Sequence, residues 1–541
     1  MHWPTHEVSN QPPLLADVNL FDADLALQTA AMDALGPSEI GTLRELGRWA
    51  GSSEAQTLAW RANRFPPELR THDRQGHRID QTEFDPAWHT LLAKLRAGGL
   101  HGRAWRGLSR NAHFARAAAF FLHAQVEAGS LCPVTMTCAA VPVLQREPLF
   151  AALADKLFSE TYDARDLPIT AKPAILVGMG LTEKQGGSDL RGTQTEAVPL
   201  DRGGRGTVYL LTGHKWFFSA PMCDAHLVLA AAPEGLSAFF VPRWRADGRR
   251  NTVLLQRLKD KLGNRSNASA EAEFAEAHGI LVGEPGRGIA TLAEMASLTR
   301  LDCAIASAAL MRQALTQVLH HARHRMAFGR PLAQQPLMMS VLADLALESE
   351  AALLLVLRLA QALDRGEMTW LRVMTPAAKF WICKRALEFS GECMEILGGN
   401  GYIEDGPLAR LYREAPLNSI WEGSGNVMCL DLLRAMRQAG AAWHEVLDWL
   451  RTATLADGRL QPLFEALEVG LGLPLDQQQQ QARRITQSLV LLAQATLLLE
   501  QAPEEVADAF IASRCDLQHG RVYGALPARD WSRLIARAWQ N

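Results

Sequence analysis

The stretch AILVGMGLTEKQGGSD, residues 174–189, opens a region in which the long helical pattern of the chain gives way to short segments. Its second half is a turn rich in glycine. Glycines let backbone amides approach a ligand closely, and the hydroxyls of Thr182 and Ser188 add short donors suited to a flavin edge or a pyrophosphate. A glycine-rich turn without a ligand looks the same, so this stretch alone leaves both interpretations open.

Short segments with alternating apolar residues follow, separated by glycine and proline. They read GTVYLLTGHKWFFS at 206–219, AHLVLAA at 225–231 and LSAFFVP at 236–242. Alternation of this kind, bounded by turn residues, predicts strands of an antiparallel sheet or barrel.

Helical patterns flank these strands on both sides. Between about 22 and 160, and again after Gly286, apolar residues recur at spacings of three and four. The polar stretch HDRQGHRIDQTEF at 72–84 predicts a loop between the first helices, and the tract DQQQQQARR at 476–484 predicts an exposed helix start or linker. We therefore expect a mainly α-helical protein with a central β-barrel. The predicted domains are an N-terminal helical domain at 1–177, a β-barrel at 178–285, a helical bundle at 286–440 and a C-terminal helical domain at 441–541.

Composition indicates a folded protein in a reducing compartment. With 541 residues, 48% hydrophobic and 21% charged, the chain can bury several cores. The formal charge of −3 gives no overall basic field, so contact with DNA requires a local positive surface. The eight cysteines are scattered without a CxxC pair, as buried free thiols are, and no metal site is expected. With neither a signal peptide nor a membrane span recognised, we expect a cytoplasmic protein without a membrane partner.

Two further motifs carry residues suited to a cofactor. In GHKWFFS at 213–219, the aromatic rings can stack on a flat ring system while Ser219 hydrogen-bonds it, although a plain buried strand looks identical. RMAFGRPLAQQ at 325–335 closes a long helix and offers Arg325 to a phosphate and Phe328 to a purine. A helix stop at its glycine and proline explains the same letters.

The fourth motif runs from EILGGNGY at 395–402 to SIWEGSGN at 419–426. Glu422 lies between an aromatic residue and a turn of small residues that leads into a helix. A carboxylate there can abstract a carbon-bound proton beside a flavin. Carboxylates are also favoured near the start of any helix, so Glu422 alone does not settle the function.

The order of these motifs, together with DKLGNRSNAS at 260–269, resembles the acyl-CoA dehydrogenase family over roughly residues 115–437. The resemblance implies a helical domain, a β-barrel and a four-helix bundle, assembled as a homotetramer. It implies FAD between barrel and bundle, with the adenosine end reaching a neighbouring subunit, and Glu422 as the catalytic base. The residues implied to contact FAD are Met179, Gly180, Leu181, Thr182, Gly187, Ser188, Phe217, Phe218, Ser219, Arg325, Phe328, Gly398, Gly399, Trp421, Gly423, Ser424 and Asn426.

Two positions distinguish this chain from many family members. Glu395 stands where those members have a glutamine near the FAD phosphates, and an acid there repels phosphate unless it turns away or is protonated. Some branches place the base on an earlier helix, but the matching position here is Thr299. That leaves Glu422 as the base.

Longer segments of the sequence are similar to the AidB branch of the family, which is associated with the adaptive response to DNA alkylation. Examples are FLHAQVEAGSLCP at 121–133 and LYREAPLNSIWEGSGNVMCLDLLR at 411–434. This likeness implies weak acyl-CoA dehydrogenase activity and binding of double-stranded DNA through basic surfaces that include the C-terminal domain.

The charge of that C-terminal domain sets a condition on DNA binding. Residues 441–541 hold nine arginines, no lysine and twelve acidic residues, a net charge of −3. Such a domain binds phosphates only where arginines gather on one face. The candidate arginines, each of which could equally be an ordinary solvated charge, are Arg434, Arg437, Arg483, Arg484, Arg514 and Arg521.

Three functions remain open at this stage. The first is a DNA-binding flavoprotein that inactivates alkylating agents or shields DNA. The second is a metabolic acyl-CoA dehydrogenase that does not bind DNA. The third is a scaffold in which FAD is structural and the C-terminal domain contacts other proteins.

Overall fold

The computed structural model describes residues 4–515, 522–526 and 530–540. The helices are α1 Leu25–Ala34, α2 Pro37–Ala50, α3 Ser53–Arg64, α4 Pro86–Ala97, α5 Ala112–Ala124, α6 Leu131–Leu144, α7 Phe150–Phe158, α8 Gly288–His324, α9 Pro336–Arg365, α10 Met368–Ile396, α11 Gly399–Tyr402, α12 Pro407–Glu414, α13 Gly425–Ala439, α14 His444–Ala456, α15 Gln461–Leu471, α16 Leu475–Gln480, α17 Ala482–Gln501, α18 Glu504–Phe510 and α19 Ser532–Ala538. The strands are β1 Glu68–His72, β2 Arg78–Glu83, β3 Val177–Gly180, β4 Glu196–Pro199, β5 Val208–Ser219, β6 Ala225–Ala232, β7 Gly235–Pro242, β8 Val253–Leu258, β9 Ser269–Val282, β10 Met326–Ala327 and β11 Arg330–Pro331.

Local sequence explains where helices begin and end. Asp24 precedes α1, and its carboxylate accepts the amide of Leu27 at 3.0 Å, satisfying a donor that the first turn leaves free. Helix α9 has Pro336 at its first position and stops at Gly366, whose φ of +68° is left-handed. Helix α9 is one of the long helices that the sequence predicts after Gly286.

Strands β4, β5, β6, β7 and β9 close into a barrel. Around the ring, β6 pairs with β4, β4 with β5, β5 with β9, β9 with β7, and β7 again with β6. Strand β3 adds to β6 and β8 to β9. The interior is filled by alternate side chains, among them Tyr209, Leu211, Phe239 and Phe274, which are nearly inaccessible. A mainly helical fold with a central barrel is thereby confirmed.

One predicted loop is wrong. Part of the polar stretch 72–84 forms, with residues before it, the antiparallel hairpin β1–β2. Few of its residues are apolar, but Leu69 packs against the barrel core and Arg78 donates to the carbonyl of Leu255 on β8 at 2.7 Å. The hairpin is stabilised by the barrel beside it, and its own sequence carries only a weak strand signal.

The described residues fall into two compact units that do not follow chain order. The first comprises residues within 1–56, 113–126 and 303–541, and the second residues within 57–112 and 127–302. The second unit contains the barrel. In the first, α10 lies against α9 and α13, and α17 from the C-terminal region packs on all three. The glutamine tract forms α16 and leads into α17, in agreement with its prediction as a helix start.

The cysteines agree with the expectation from composition. All eight cysteines are free and buried. Within the part of the chain that the structure describes, no helix combines the length and apolar character that crossing a bilayer requires.

Candidate functional site

In the second unit, a buried ion pair ties the glycine-rich turn to strand β5. Lys215 Nζ lies 2.5 Å from Glu183 Oε1, and both side chains are at most 1% exposed. Burial alone would raise the pKa of Glu183, but hydrogen bonds from Lys215 and Thr195 lower it to about 2. The amide of Trp216 also donates to Thr182 O at 2.8 Å. Two motifs separated in sequence are therefore one structural piece.

The sequence analysis missed both members of this pair. Glu183 stands between the candidate residues Thr182 and Gly187, and Lys215 stands beside the aromatic residues of the next motif. The available signal was a lysine at an inward position of a predicted strand, since a buried cation requires a partner.

The rest of the turn is graded from buried to exposed. Met179 and Gly180 are buried, whereas Gly187 and Ser188 face solvent. A Cβ on Gly187 would lie 2.5 Å from Thr182 Oγ1, so only glycine fits beside that hydroxyl. Leu181 and Thr182 are half-buried. The turn thus offers backbone and hydroxyl donors on its exposed side.

Phe217 and Phe218 do not share a role, contrary to the sequence analysis. Phe217 is 50% exposed, but Phe218 is 2% exposed in the barrel core and stacks on His226 at 3.9 Å. A bulge between Lys215 and Phe218 shifts the alternation by one residue, which turns Phe218 inward. Phe218 is therefore withdrawn as a cofactor contact.

The aromatic surface that β5 leaves accessible consists of the half-buried Trp216 and the exposed Phe217. Lys259 Nζ lies 3.3 Å from the Trp216 ring centroid and 5.0 Å from that of Phe217. Ser219, at the end of the strand, is half-buried. Flat rings beside short donors match the requirements of an isoalloxazine, which presents a large apolar face with a polar edge.

In the first unit, Arg325 and Phe328 lie on the small hairpin β10–β11. Phe328 is at its tip, with φ +51° and 97% exposure. Asn10 is hydrogen-bonded to Met326, the first residue of the hairpin. The Asn10 side chain donates to Met326 O and accepts from Met326 N, each at 2.8 Å. The Arg325 guanidinium donates to the carbonyl of Asn10.

Gly398 and Gly399 form the start of α11 and meet open space. No other atom lies within 4 Å of the position that a Cβ would take on either residue. The amide of Gly398 already donates to Glu395 O at 2.8 Å, so an approach of backbone to phosphate here falls to the amide of Gly399. Glu395 is exposed; burial of Glu392, together with the charge of Glu395, raises the pKa of Glu392. An exposed carboxylate can turn away from a nearby phosphate and towards water, so Glu395 does not prevent phosphate binding there.

Glu422 is half-buried in a turn before α13 and has φ +58°, a left-handed conformation. Trp421 before it is fixed through Nε1, which donates to Asn418 Oδ1 at 2.8 Å. Gly423 and Ser424 follow, and Ser424 stands at the N-cap of α13. Asn426 is exposed, and its Oδ1 accepts from Arg483 Nε on α17 at 2.9 Å. A segment of the C-terminal region therefore touches this motif.

The candidate residues fit FAD on the criteria each unit provides. The second unit offers the exposed ring of Phe217, the half-buried ring of Trp216 and short donors, and the first offers Arg325, an exposed Phe328 and the open backbone of Gly399. Of the residues implied to contact FAD, Met179, Gly180 and Phe218 are buried, and the others are half-buried or exposed.

The candidate arginines for DNA differ in exposure. Arg434, Arg437, Arg483 and Arg484 are exposed. Arg514 is not available: its side chain is 10% exposed and its Nη2 lies 2.5 Å from Asp344 Oδ1 and 3.4 Å from Glu348 Oε2. The expectation that Arg514 contacts DNA is therefore wrong, because carboxylates on α9 neutralise it. Arg521 lies outside the described residues.

Comparison with known proteins identifies the family. Residues 10–164 match the N-terminal domain of the adaptive response protein AidB, and residues 178–277 and 286–437 match the middle and C-terminal domains of acyl-CoA dehydrogenases. AidB of Escherichia coli (strain K12) is 47% identical over 534 residues, covering 96% of each chain. Acyl-CoA dehydrogenase family member 11 of Caenorhabditis elegans is 31% identical over 71% of this chain and 64% of its own.

A solved structure extends this likeness to three dimensions. ACDH-11 of Caenorhabditis elegans, in complex with C11-CoA, matches with a TM-score of 0.84 and 26% identity over 98% of this chain and 95% of that one. The chain belongs to the AidB branch of the acyl-CoA dehydrogenase family and is an FAD-dependent oxidoreductase of the class that acts on CH–CH groups.

Proposed function

We propose that this protein is a homotetrameric flavoprotein of the AidB type with two linked properties. It dehydrogenates acyl-CoA thioesters weakly, and it binds double-stranded DNA without sequence selection. It either inactivates alkylating agents with its flavin or shields the DNA. The likeness to AidB over 96% of both chains supports the pairing, and the left-handed Glu422 beside a fixed Trp421 supports the chemistry.

For the first property, Glu422 acts as general base. Its carboxylate takes the α-proton of the thioester while a hydride leaves the β-carbon, so that an enoyl-CoA results. FAD, when bound, supplies the hydride acceptor. The likeness to ACDH-11, which is solved with C11-CoA, supports acyl-CoA thioesters as the substrate class.

Anaerobic mixing with acyl-CoA thioesters of graded chain length tests this role. The flavin absorbance of the wild type should bleach, and Glu422→Gln should slow bleaching by at least about 100-fold, since a positioned base contributes on the order of 10²–10⁴ in rate. Glu445→Gln makes the same replacement of a carboxylate by a carboxamide at an exposed position of α14. It is the matched control, and its flavin should bleach at the wild-type rate. Absence of bleaching with every thioester would refute dehydrogenation.

For the second property, the candidate DNA surface centres on α13. Asp431 accepts two hydrogen bonds from Arg372, at 2.9 and 2.8 Å, and lies 3.8 Å from Arg434. Arg437 is exposed one turn further on. Three arginines against one carboxylate leave a local positive charge in a chain whose net charge is negative.

Helix α17 extends this surface. Arg483 contacts Asn426 and Thr486 contacts Cys429, so α13 and α17 run side by side in the same direction. At 1.5 Å per residue, Arg434 lies about 12 Å along α13 from the Arg483 contact. Four or five successive phosphates of one DNA strand span about this length, since each advances about 3.4 Å along the axis.

A salt series with labelled duplex DNA tests the surface. Wild-type affinity should fall steeply with salt, and Arg434→Glu/Arg437→Glu should weaken binding at least about tenfold and reduce the slope of log affinity against log salt by about 2. Arg74→Glu/Arg202→Glu changes the net charge equally at exposed positions of the other unit and should bind as the wild type does. Undetectable binding at low salt would refute a DNA-binding function.

The same variants separate shielding from inactivation of alkylating agents. Duplex DNA is treated with a methylating agent in the presence of each protein, and modified bases are counted. Protection that disappears with Arg434→Glu/Arg437→Glu indicates shielding, whereas protection that persists without binding indicates inactivation in solution. Equal damage with and without wild-type protein argues against both.

A further inference from the structure

Lys379 lies on α10 with its side chain 1% exposed, directly behind the segment that carries Glu422. Its Nζ donates to Trp421 O at 2.7 Å and also to Gly423 O. These carbonyls belong to the residues immediately before and after Glu422. A single ammonium group therefore holds both flanks of the candidate base.

The backbone of Glu422 requires such a restraint. Its φ of +58° lies in a region that residues with a Cβ rarely adopt, and such a conformation persists only where its surroundings determine it. The peptide that joins Glu422 to Gly423 lies between the two fixed carbonyls. Holding both carbonyls limits the rotation of that peptide, and with it the direction in which the Glu422 side chain leaves the backbone.

A second, separate network holds the rest of the turn. Trp421 Nε1 donates to Asn418 Oδ1, and Asn418 Nδ2 donates to Ser307 Oγ on α8 at 3.1 Å. Asn418 is 4% exposed. Because this network does not involve Lys379, loss of the ammonium should release the peptides beside Glu422 while the turn stays anchored.

The charge of Lys379 also calls for an explanation. No salt bridge joins its Nζ to a carboxylate in the described parts of the chain, and its hydrogen bonds go to backbone carbonyls. Burying a cation without a carboxylate is costly, and simple helix packing at this site would be served by an apolar side chain.

We infer that Lys379 is a positioning residue for Glu422: it fixes the left-handed backbone that presents the carboxylate, and so prepares the base before substrate binds. This inference rests on the proposed role of Glu422 as the base. It adds a residue from a different helix, about 40 positions earlier in the chain, to the machinery of proton abstraction.

The test uses Lys379→Met, which keeps the length of the side chain and removes its donors. Flavin reduction by an acyl-CoA should slow on the order of 10- to 100-fold, because misplacement of a reacting group by about 1 Å costs up to about 100-fold. FAD content and thioester affinity should change by less than about twofold. Lys94→Met, which removes an exposed ammonium from α4, should reduce at the wild-type rate.

A double variant distinguishes positioning from general damage. If Lys379 acts through Glu422, Lys379→Met/Glu422→Gln should be no slower than Glu422→Gln within about twofold. Additive losses in the double variant would overturn the inference, as would a wild-type rate in Lys379→Met. Should Lys379→Met not purify with flavin, Lys379→Leu, which also removes the donors, takes its place under the same criteria.

A readout that needs no thioester keeps this test separate from that of the proposed function. Amide hydrogen exchange across residues 421–426 should be about tenfold faster in Lys379→Met, with residues 407–414 unchanged. If no thioester reduces the wild type, the proposed chemistry fails, but exchange still decides whether Lys379 holds the segment. Unchanged exchange at 421–426 would overturn the inference.

Discussion

At the scale of single residues, Lys215 and Glu183 show how a cofactor motif can contain residues that hold it together. Lys215 is completely buried within β5, and its Nζ reaches both Glu183 and the carbonyl of Leu229 at 2.8 Å. Glu183 also accepts from Thr195 and from the amide of Gln194. With so many donors the carboxylate remains ionised in a place where an unpaired one would be protonated.

The pair should contribute a pH-dependent part of stability. The pKa of Glu183 is lowered from 4.5 to about 2, so its contribution is complete above pH 4.5 and is lost as the pH falls towards 2. Burial lowers the pKa of Lys215, so the cost of burying its ammonium offsets part of this contribution. Urea unfolding midpoints of wild type and Glu183→Gln should therefore differ most at neutral pH and converge as the pH approaches 2.

Glu183→Gln/Lys215→Met provides the control for this prediction. It removes both charges, so it should be more stable at neutral pH than Glu183→Gln alone, in which the lysine stays buried without its partner. A midpoint difference between wild type and Glu183→Gln that stays constant from pH 6 to pH 2 would contradict the assigned pKa shift.

At the scale of elements, the segment from Asn10 to Pro13 acts as a tie across two cofactor motifs. Asn10 brackets Met326, Pro13 O lies 2.8 Å from His320 Nε2, and Gln11 Oε1 accepts from Asn400 Nδ2 at 3.3 Å. The motif at 325–335 carries Arg325, and the motif at 395–402 carries Gly398 and Gly399 at the start of α11. An extended segment without secondary structure thus connects both.

We expect Asn10→Ala to weaken FAD binding about three- to tenfold. It deletes two hydrogen bonds to the hairpin that carries Arg325, each contributing about 0.5–1.5 kcal/mol. Fluorescence titration of apoprotein with FAD measures the change. Asn10→Asp keeps the acceptor for the Met326 amide and should lose less, while Ser9→Ala should lose nothing. Equal FAD affinity in Asn10→Ala and wild type would mean that the tie does not support the site.

At the scale of the whole molecule, the compact units are assembled from segments far apart in the chain. The first unit combines α1, α2, α5 and the described residues from 303 onwards. Helices of the C-terminal region are built into it: α17 packs on α9, α10 and α13, and Arg537 on α19 pairs with Glu350 on α9 at 2.8 Å. The region after 440 is therefore fastened to the bundle by both apolar contacts and buried charge.

Phe328 is expected to matter beyond one subunit. A phenylalanine that is 97% exposed at a hairpin tip leaves a large apolar surface in water, and burying such a ring contributes about 1.5–3 kcal/mol. In a homotetramer with FAD shared across subunits, Phe328→Ser should both lower FAD occupancy and reduce the mass measured by light scattering below four chains at micromolar concentration. Leu455→Ser removes another exposed apolar side chain, 84% accessible on α14, and should leave mass and FAD unchanged. A tetramer with full FAD in Phe328→Ser would rule this role out.

The sequence by itself determined the barrel, the long helices and the order of the cofactor motifs, because alternation, helical spacing and capping residues act over a few neighbouring positions. It could not tell Phe217 from Phe218, since a bulge defined by pairing with β9 decides which ring enters the core. Nor could it foresee that Arg514 would be neutralised by Asp344, 170 residues away, or that Lys379 would bond the carbonyls on either side of Glu422. Those contacts depend on which helices become neighbours, and the tertiary structure alone determines that.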